Sequence, residues 1–220
     1  MGGPRPRWAP SLRRGRFRAE RRMGLEFWFE FASTYSYPAA MRVEAAARAA
    51  CVALVWRPFL LGPIFAAQGW NDSPFNLYPA KGRYMWRDLA RICAAQGIPF
   101  RRPSVFPRNG LRAARVACRF AAEPWLPAFV RAVYTANFAE DRDISDRGVI
   151  GELLAALGQP AAERLAAAES DEAKAALRAQ TERAVSLGLF GAPSFVVGEE
   201  LFWGNDRLEA ALAWRSDGAR

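Results

Sequence analysis

Hydrophobic periodicity changes twice along this chain, and the two changes leave few folds open to it. Residues 25–31, LEFWFEF, alternate strictly, with Leu25, Phe27, Phe29 and Phe31 on one face and Glu26, Trp28 and Glu30 on the other. A period of two in aromatic-rich sequence predicts a strand. Ser33-Thr34-Tyr35-Ser36 follows as a turn, residues 37–50 as an alanine-rich helix, and residues 52–59 as a second strand running into a Pro/Gly segment (Pro58, Gly62, Pro63). Pro38 is tolerated because the first helical turn has N–H groups to spare. From about residue 79 to 188 the period is helical. Met85, Leu89, Ile92 and Cys93 form one stripe, Phe129, Val130, Val133, Tyr134 and Phe138 a second, and Val149, Ile150, Leu153, Leu154 and Leu157 a third. Past Gly188 the period returns to two. Residues 194–197 and 200–203 read as strands joined through Gly198, and residues 206–213 as a closing helix.

Strand, helix, strand, then a helical block, then strand, strand, helix is the order of an α/β chain with a thioredoxin-like core (βαβ + ββα) and a large all-helical insertion. The expected boundaries are 24–78 and 189–216 for the core and 79–188 for the inserted helical domain. Residues 1–23 are expected to be a disordered basic extension. The net charge of +9 lies mostly there: residues 1–22 hold eight arginines and one glutamate, which leaves only +2 for the rest. A nearly neutral body gives no reason to expect a nucleic-acid partner. No apolar run approaches the roughly 18 residues of a membrane span, so no membrane partner is expected. The basic segment has no apolar stretch of the secretory kind, and a cytoplasmic location is the expectation.

The chain contains no histidine. That excludes His-ligated zinc, Ser-His-Asp and Cys-His nucleophile pairs, and an imidazole base. No metal-ligating set is expected, and any chemistry must use other groups or a cofactor that brings its own. Cys51, Cys93 and Cys118 are far apart and form no C-x-x-C pair. Each is expected to be a small buried hydrophobe on or beside an apolar stripe. In a thioredoxin-like core, the functional position is the turn from the first strand into the first helix, where N–H groups and the helix dipole stabilise a thiolate. Here both positions of a dithiol pair are serine, Ser33 and Ser36, so dithiol–disulfide exchange is excluded. Ser33 either caps the helix or donates a hydrogen bond to a sulfur supplied by another molecule. Pro193, opening the third core strand, is expected to be cis and close to Ser33, with the Ala192 backbone turned outward. Asn205 and Asp206 either cap the last helix or hold a charged ligand group there.

The segments FWFEFASTYSY, WRPFLLG, PAKGRYMWRDL, NFAEDRDISD and LFGAPSFVVGEELFWGNDRLE resemble the 2-hydroxychromene-2-carboxylate isomerases, members of the DsbA-like thioredoxin superfamily related to kappa-class glutathione transferases. The resemblance spans about residues 25–214. It implies glutathione as cofactor, with Ser33 holding its sulfur, Ala192 before Pro193 pairing with its cysteinyl unit, and Asn205 and Asp206 receiving its γ-glutamyl end. It implies a small aromatic substrate and the interconversion of 2-hydroxychromene-2-carboxylate-type and trans-o-hydroxybenzylidenepyruvate-type compounds in aromatic catabolism, through reversible thiolate addition. A homodimer is a further implied expectation. A kappa-like glutathione transferase would use the same residues, and a non-catalytic thioredoxin-fold binding module is the alternative of a different class. Tyr84, Trp86 and Arg87 are candidates to line the substrate pocket, whereas the row Arg83, Arg87 and Arg91 reads as a solvated helix face. One position departs from the family pattern: the residue after the active serine is usually proline, and here it is Thr34, which keeps a backbone N–H.

The composition of residues 1–22 makes them dispensable to the folded body. A chain beginning at Met23 should keep the thermal midpoint and the activity of the full chain, and a large drop in either would show that the extension packs on it.

Overall fold

Strand β1 (Leu25–Phe29) is one of two inner strands of the sheet. It pairs in parallel with β2 (Leu54–Pro58) and antiparallel with β3 (Ser194–Val197), and β4 (Glu200–Trp203) closes the sheet in the order β2-β1-β3-β4. The β1–β2 pair is parallel because helix α1 (Ser36–Ala49) carries the chain back over one face, a crossover that a tight hairpin cannot provide. β3 and β4 need only Gly198 and Glu199 between them, and Gly198 takes the positive φ of 63° that such a loop demands. The chain is described over residues 24–217 of a computed structural model. The basic extension expected over residues 1–23 lies outside the described residues.

Strict alternation in β1 does not mean one wet face, because both faces of this sheet are covered. Leu25, Phe27 and Phe29 join Trp56, Phe195 and Val197 beneath α1 and beneath helices α5 (Leu111–Arg119), α6 (Leu126–Phe138) and α10 (Leu208–Asp217). Phe27 sits between its register partners, 5.2 Å from Trp56 and 5.5 Å from Phe195. Burial of such a ring contributes about 2–3 kcal/mol. On the opposite face Trp28, Phe59 and Val196 pack against Ile64 and against Ala184 and Leu189. Ala184 belongs to α9 (Asp171–Ser186), whose start is capped by the Ser170 hydroxyl. The insertion runs through α4 (Pro79–Ala95), α5, α6, α7 (Arg147–Ala156), α8 (Ala161–Ala168) and α9. Its apolar stripes belong to the same buried cluster as the sheet, so the helical block has no separate core.

Three local expectations are corrected, and one segment left without an element gains two. β1 stops at Phe29 rather than residue 31, because the Glu30 and Phe31 carbonyls accept from α6 side chains instead of from a neighbouring strand. The Pro/Gly segment after β2 is helical, forming α2 (Leu61–Ala67) and α3 (Pro74–Leu77). Pro63 and Pro74 both lie in first turns, where no N–H is missed, and Ser73 caps α3. Cys93 is buried and Cys118 half-buried, but Cys51 is exposed at a φ of 54° just beyond α1. The closing helix α10 begins at Leu208, preceded by a 3-10 turn, Asn205–Arg207. Among the described residues no helix is long and apolar enough to cross a membrane.

The short helix α3 is pressed onto α4 at Gly82, where an added Cβ would stand 2.2 Å from the Phe75 carbonyl oxygen. Alanine is the better helix former by about 1 kcal/mol, yet Gly82→Ala should lower the thermal midpoint and speed amide exchange over residues 74–78. A stabilised variant would show that α3 is not held there.

Candidate functional site

The site is built at the end of β1. The Tyr134 hydroxyl donates to the Glu30 carbonyl at 2.9 Å and Asn137 Nδ2 to the Phe31 carbonyl at 3.3 Å, both from α6. Asn137 is held in turn by Arg108 Nη1 at 3.2 Å, and the buried Arg108 guanidinium is paired with Asp141 and bonded to Ser104. Thus fixed, the chain turns sharply, with Ser33 N donating to the Glu30 carbonyl at 3.0 Å, and delivers Ser33-Thr34-Tyr35-Ser36 to the start of α1. Thr34 is buried, its hydroxyl donating to Met85 Sδ at 3.1 Å, and the Tyr35 hydroxyl donates to Asp88 Oδ2 at 3.1 Å. Both contacts clamp the turn to α4. The hydrogen bond to Asp88, the Asp88 charge and burial together push the Tyr35 phenol above its ordinary range, burial being the largest effect.

Ser33 faces the start of β3. The Ala192–Pro193 bond is cis, and the Ser33 hydroxyl donates to the Ala192 carbonyl at 2.8 Å. Ser33 Oγ also accepts from Ser36 N at 3.4 Å, a long bond, and the N-cap residue of α1, Tyr35, makes no side-chain cap of its own. Helix capping therefore uses little of Ser33, and its hydroxyl can rotate from one acceptor to another. Two glycines make room around this loop: a Cβ on Gly191 would meet Trp203 Nε1 at 2.4 Å, and Gly204, at a φ of 117°, lies against the Asp206 carboxylate. Gly204 N donates to the Pro193 carbonyl at 2.9 Å, tying the β4 end to the proline loop.

Asn205 and Asp206 follow at once. Neither caps the closing helix. Asn205 is buried, with Oδ1 accepting from Arg42 Nε at 3.3 Å and its carbonyl bonded to the same guanidinium, whereas Asp206 is exposed, 3.4 Å from Arg207. With Oδ1 occupied, the Asn205 amide is left to donate.

Ser33, Ala192, Pro193, Asn205 and Asp206 line one cleft of about 1450 Å³, which continues past Leu60, Phe65, Trp70 and Phe75 to α4. Tyr84 lines it. Trp86 and Arg87 do not: Trp86 is turned behind the wall onto Phe100 and Phe106 under the Arg102 guanidinium, and Arg87 is exposed on the solvated face expected for the arginine row. The alternation of β1 also concealed Glu30. Its carboxyl lies on the cleft floor, Oε2 accepting from Ala32 N at 3.0 Å. Burial pushes it up to about 7, against the opposing pull of the Ala32 and Ser33 N–H groups. The only sequence signal was an acid three residues before Ser33, the second of two in an aromatic-rich strand.

The profile of the DSBA-like thioredoxin domain matches residues 24–213. The chain belongs to this family. It is 28% identical over 187 residues to 2-hydroxychromene-2-carboxylate isomerase of Sphingobium xenophagum, covering 84% of this chain and 94% of that protein. A protein of the same description from Pseudomonas putida is 29% identical over 189 residues, with 84% and 91% covered. Among solved structures, one of a 2-hydroxychromene-2-carboxylate isomerase superposes with a TM-score of 0.81 at 25% identity, covering 90% of this chain and 97% of that one. This DSBA-like chain carries serine, not cysteine, at both active-turn positions.

Glu30 makes stability depend on pH. The unfolded carboxyl ionises near 4.5 and the folded one near 7, so between those values the folded state holds the extra proton and stability falls as pH rises, levelling off above 7. Glu30→Gln removes this loss. Relative to the unaltered chain it should gain roughly 1–3 kcal/mol between pH 4.5 and 8 in urea titrations, and an equal difference at both pH values would show that the carboxyl is not buried as a charge.

Proposed function

We propose that the protein is a glutathione-dependent isomerase of the 2-hydroxychromene-2-carboxylate type. The observation that carries this reading is a serine hydroxyl, not a thiol, at the start of α1, directly opposite a cis-proline loop in a cleft walled by aromatic side chains. The donor set fits glutathione: a rotatable hydroxyl for a sulfur, the Ala192 backbone for an extended cysteinyl unit, and the Asn205 amide beside the Asp206 carboxylate for a zwitterionic γ-glutamyl end. When bound, glutathione supplies the nucleophile, its thiolate adding reversibly to a conjugated substrate and leaving after bond rotation. Ser33 Oγ–H leaves the Ala192 carbonyl and donates to that sulfur, while the α1 N-terminus adds its dipole. Lowering a thiol from about 8.5 toward 7 takes only about 2 kcal/mol, within reach of these two effects. Phe65, Trp70 and Phe75 shed water from an aromatic substrate and fix it beside the sulfur. Transferase chemistry would use the same thiol site, and the relatives' names favour the isomerase.

Ser33→Ala should raise the pKa of the bound thiol and slow turnover by about 10- to 150-fold, the equivalent of one charge-assisted hydrogen bond. Glutathione affinity should change little, because Ala192, Asn205 and Asp206 hold the rest of the tripeptide. Asp206→Ala should do the reverse, weakening binding more than it slows the saturated enzyme. Chromene-carboxylate isomerisation that proceeds equally without glutathione, or an unchanged rate in Ser33→Ala, would remove this reading.

A further inference from the structure

One acidic group on the cleft floor has no task in that mechanism. Four carboxyls line the cleft: Glu30, Asp72, Asp88 and Asp206. Asp72 accepts from Asn76 Nδ2 and Ser73 N, Asp88 from the Tyr35 hydroxyl and Arg91, and Asp206 lies against Arg207. Glu30 alone among them is held by a backbone N–H only, that of Ala32, while Ser33 N bonds the Glu30 main-chain carbonyl, so its carboxyl lies beneath the bend that carries Ser33. Its Oε1 sits beside Gly110, where an added Cβ would stand 3.5 Å away, and Gly110 lines the same cleft.

The charged and titratable groups around Glu30 are committed elsewhere. On its own strand face Glu26 is paired with Arg57 of β2 and Arg183 of α9. From α6, Tyr134 gives its hydroxyl to the Glu30 carbonyl, and burial holds that phenol well above its ordinary range. From the loop before α5, Arg108 is paired with Asp141. Tyr35, on the turn itself, donates to Asp88.

We infer that Glu30 is the proton acceptor and donor for the thiol held at Ser33. This rests on the thiol site proposed above. Glu30 takes the proton as the S–H bond breaks, the electron pair staying on sulfur and an O–H bond forming on the carboxyl. As the C–S bond forms, the C=C π pair of the conjugated substrate shifts to its carbonyl oxygen, and Glu30 keeps the proton until that pair returns to re-form the C=C bond. When the C–S bond breaks and its pair returns to sulfur, the Glu30 O–H gives the proton back, so no proton or electron is gained or lost, as an isomerisation requires. A carboxyl raised to about 7 by burial is matched to this duty near neutral pH, in a chain without histidine.

Calorimetry of glutathione binding in buffers of different ionisation enthalpy, at about pH 8 where a free Glu30 is ionised, counts the protons released. Thiolate absorbance reports ionisation of the sulfur in the same samples. The full-length protein should form thiolate while releasing almost no proton, and Glu30→Gln should release about one proton per thiolate formed. Turnover of Glu30→Gln should fall by about 10²- to 10⁴-fold and lose the acidic limb of the pH–rate profile, with Glu30→Asp restoring part of both. The inference is overturned if the unaltered protein binds glutathione as thiolate and releases a full proton, an outcome that leaves the thiol site standing. It is overturned equally if Glu30→Gln keeps the proton count and the rate. If glutathione does not bind the unaltered protein, or binds without ionising, the thiol-site reading fails and this inference falls with it. Should Glu30→Gln not fold, the proton count of the unaltered protein decides.

Discussion

The carbonyls of Glu30 and Phe31 are the point on which this architecture turns. They sit where β1 leaves the sheet, inside the protein, with no strand to satisfy them, and a buried unpaired carbonyl costs about 1–3 kcal/mol. Tyr134 of α6 adds a side-chain donor to the Glu30 carbonyl, which also accepts from Ser33 N. Asn137 supplies the donor for the Phe31 carbonyl and is in turn fixed by the buried Arg108, whose partner Asp141 is only half-buried. Because these groups come from the inserted helices, the insertion is not an ornament on the core. Removing Asn137 would leave the Phe31 carbonyl without its donor and the buried Arg108 guanidinium without one of its acceptors.

From that anchor the order of the site follows. The turn after β1 is gripped on a second side by α4, through Thr34 to Met85 and Tyr35 to Asp88. Thr34 thus replaces the rigidity a proline would give with a buried side-chain contact, and it keeps its backbone N–H. The proline loop before β3 is brought opposite by antiparallel pairing of β1 and β3, and Gly204 ties it to the end of β4. Three loops meet at one end of one sheet, and the cleft is the space they leave.

The electrostatics of the cleft are unusual for what they lack. With no histidine in the chain, the polar groups gathered at this end of the cleft are a hydroxyl, a helix terminus and a carboxyl bonded to one backbone N–H. Of the cations lining the cleft, Arg108 is paired with Asp141, Arg207 with Asp206, and Lys81 lies over the Tyr78 ring. Glu30 is therefore kept from an arginine partner that would pull its carboxyl down.

Much of this was legible in the sequence. The change of period from two to helical and back fixes the order of elements, because each period reports which face a local segment must bury. The meeting of Ser33 with Ala192 and Pro193, and the presence of Asn205 and Asp206 in the same cleft, follow from that order and from the resemblance of five segments to one family. The rest was decided by contacts between segments far apart in the chain. Alternation in β1 tells which side chains share a face, but not that helices cover both faces, so Trp28 could not be recognised as buried nor Glu30 as half-buried in the cleft lining. The Pro/Gly stretch after β2 could not be recognised as helical, because its prolines are harmless only when they fall in first turns. Trp86 and Tyr84 stand two positions apart on one helix, and only the packing of that helix decides that Tyr84 meets the cleft and Trp86 the Phe100 and Phe106 rings behind it. Periodicity is a property of neighbours in sequence, whereas desolvation, which raises the Glu30 carboxyl, is set by everything that surrounds a group in space.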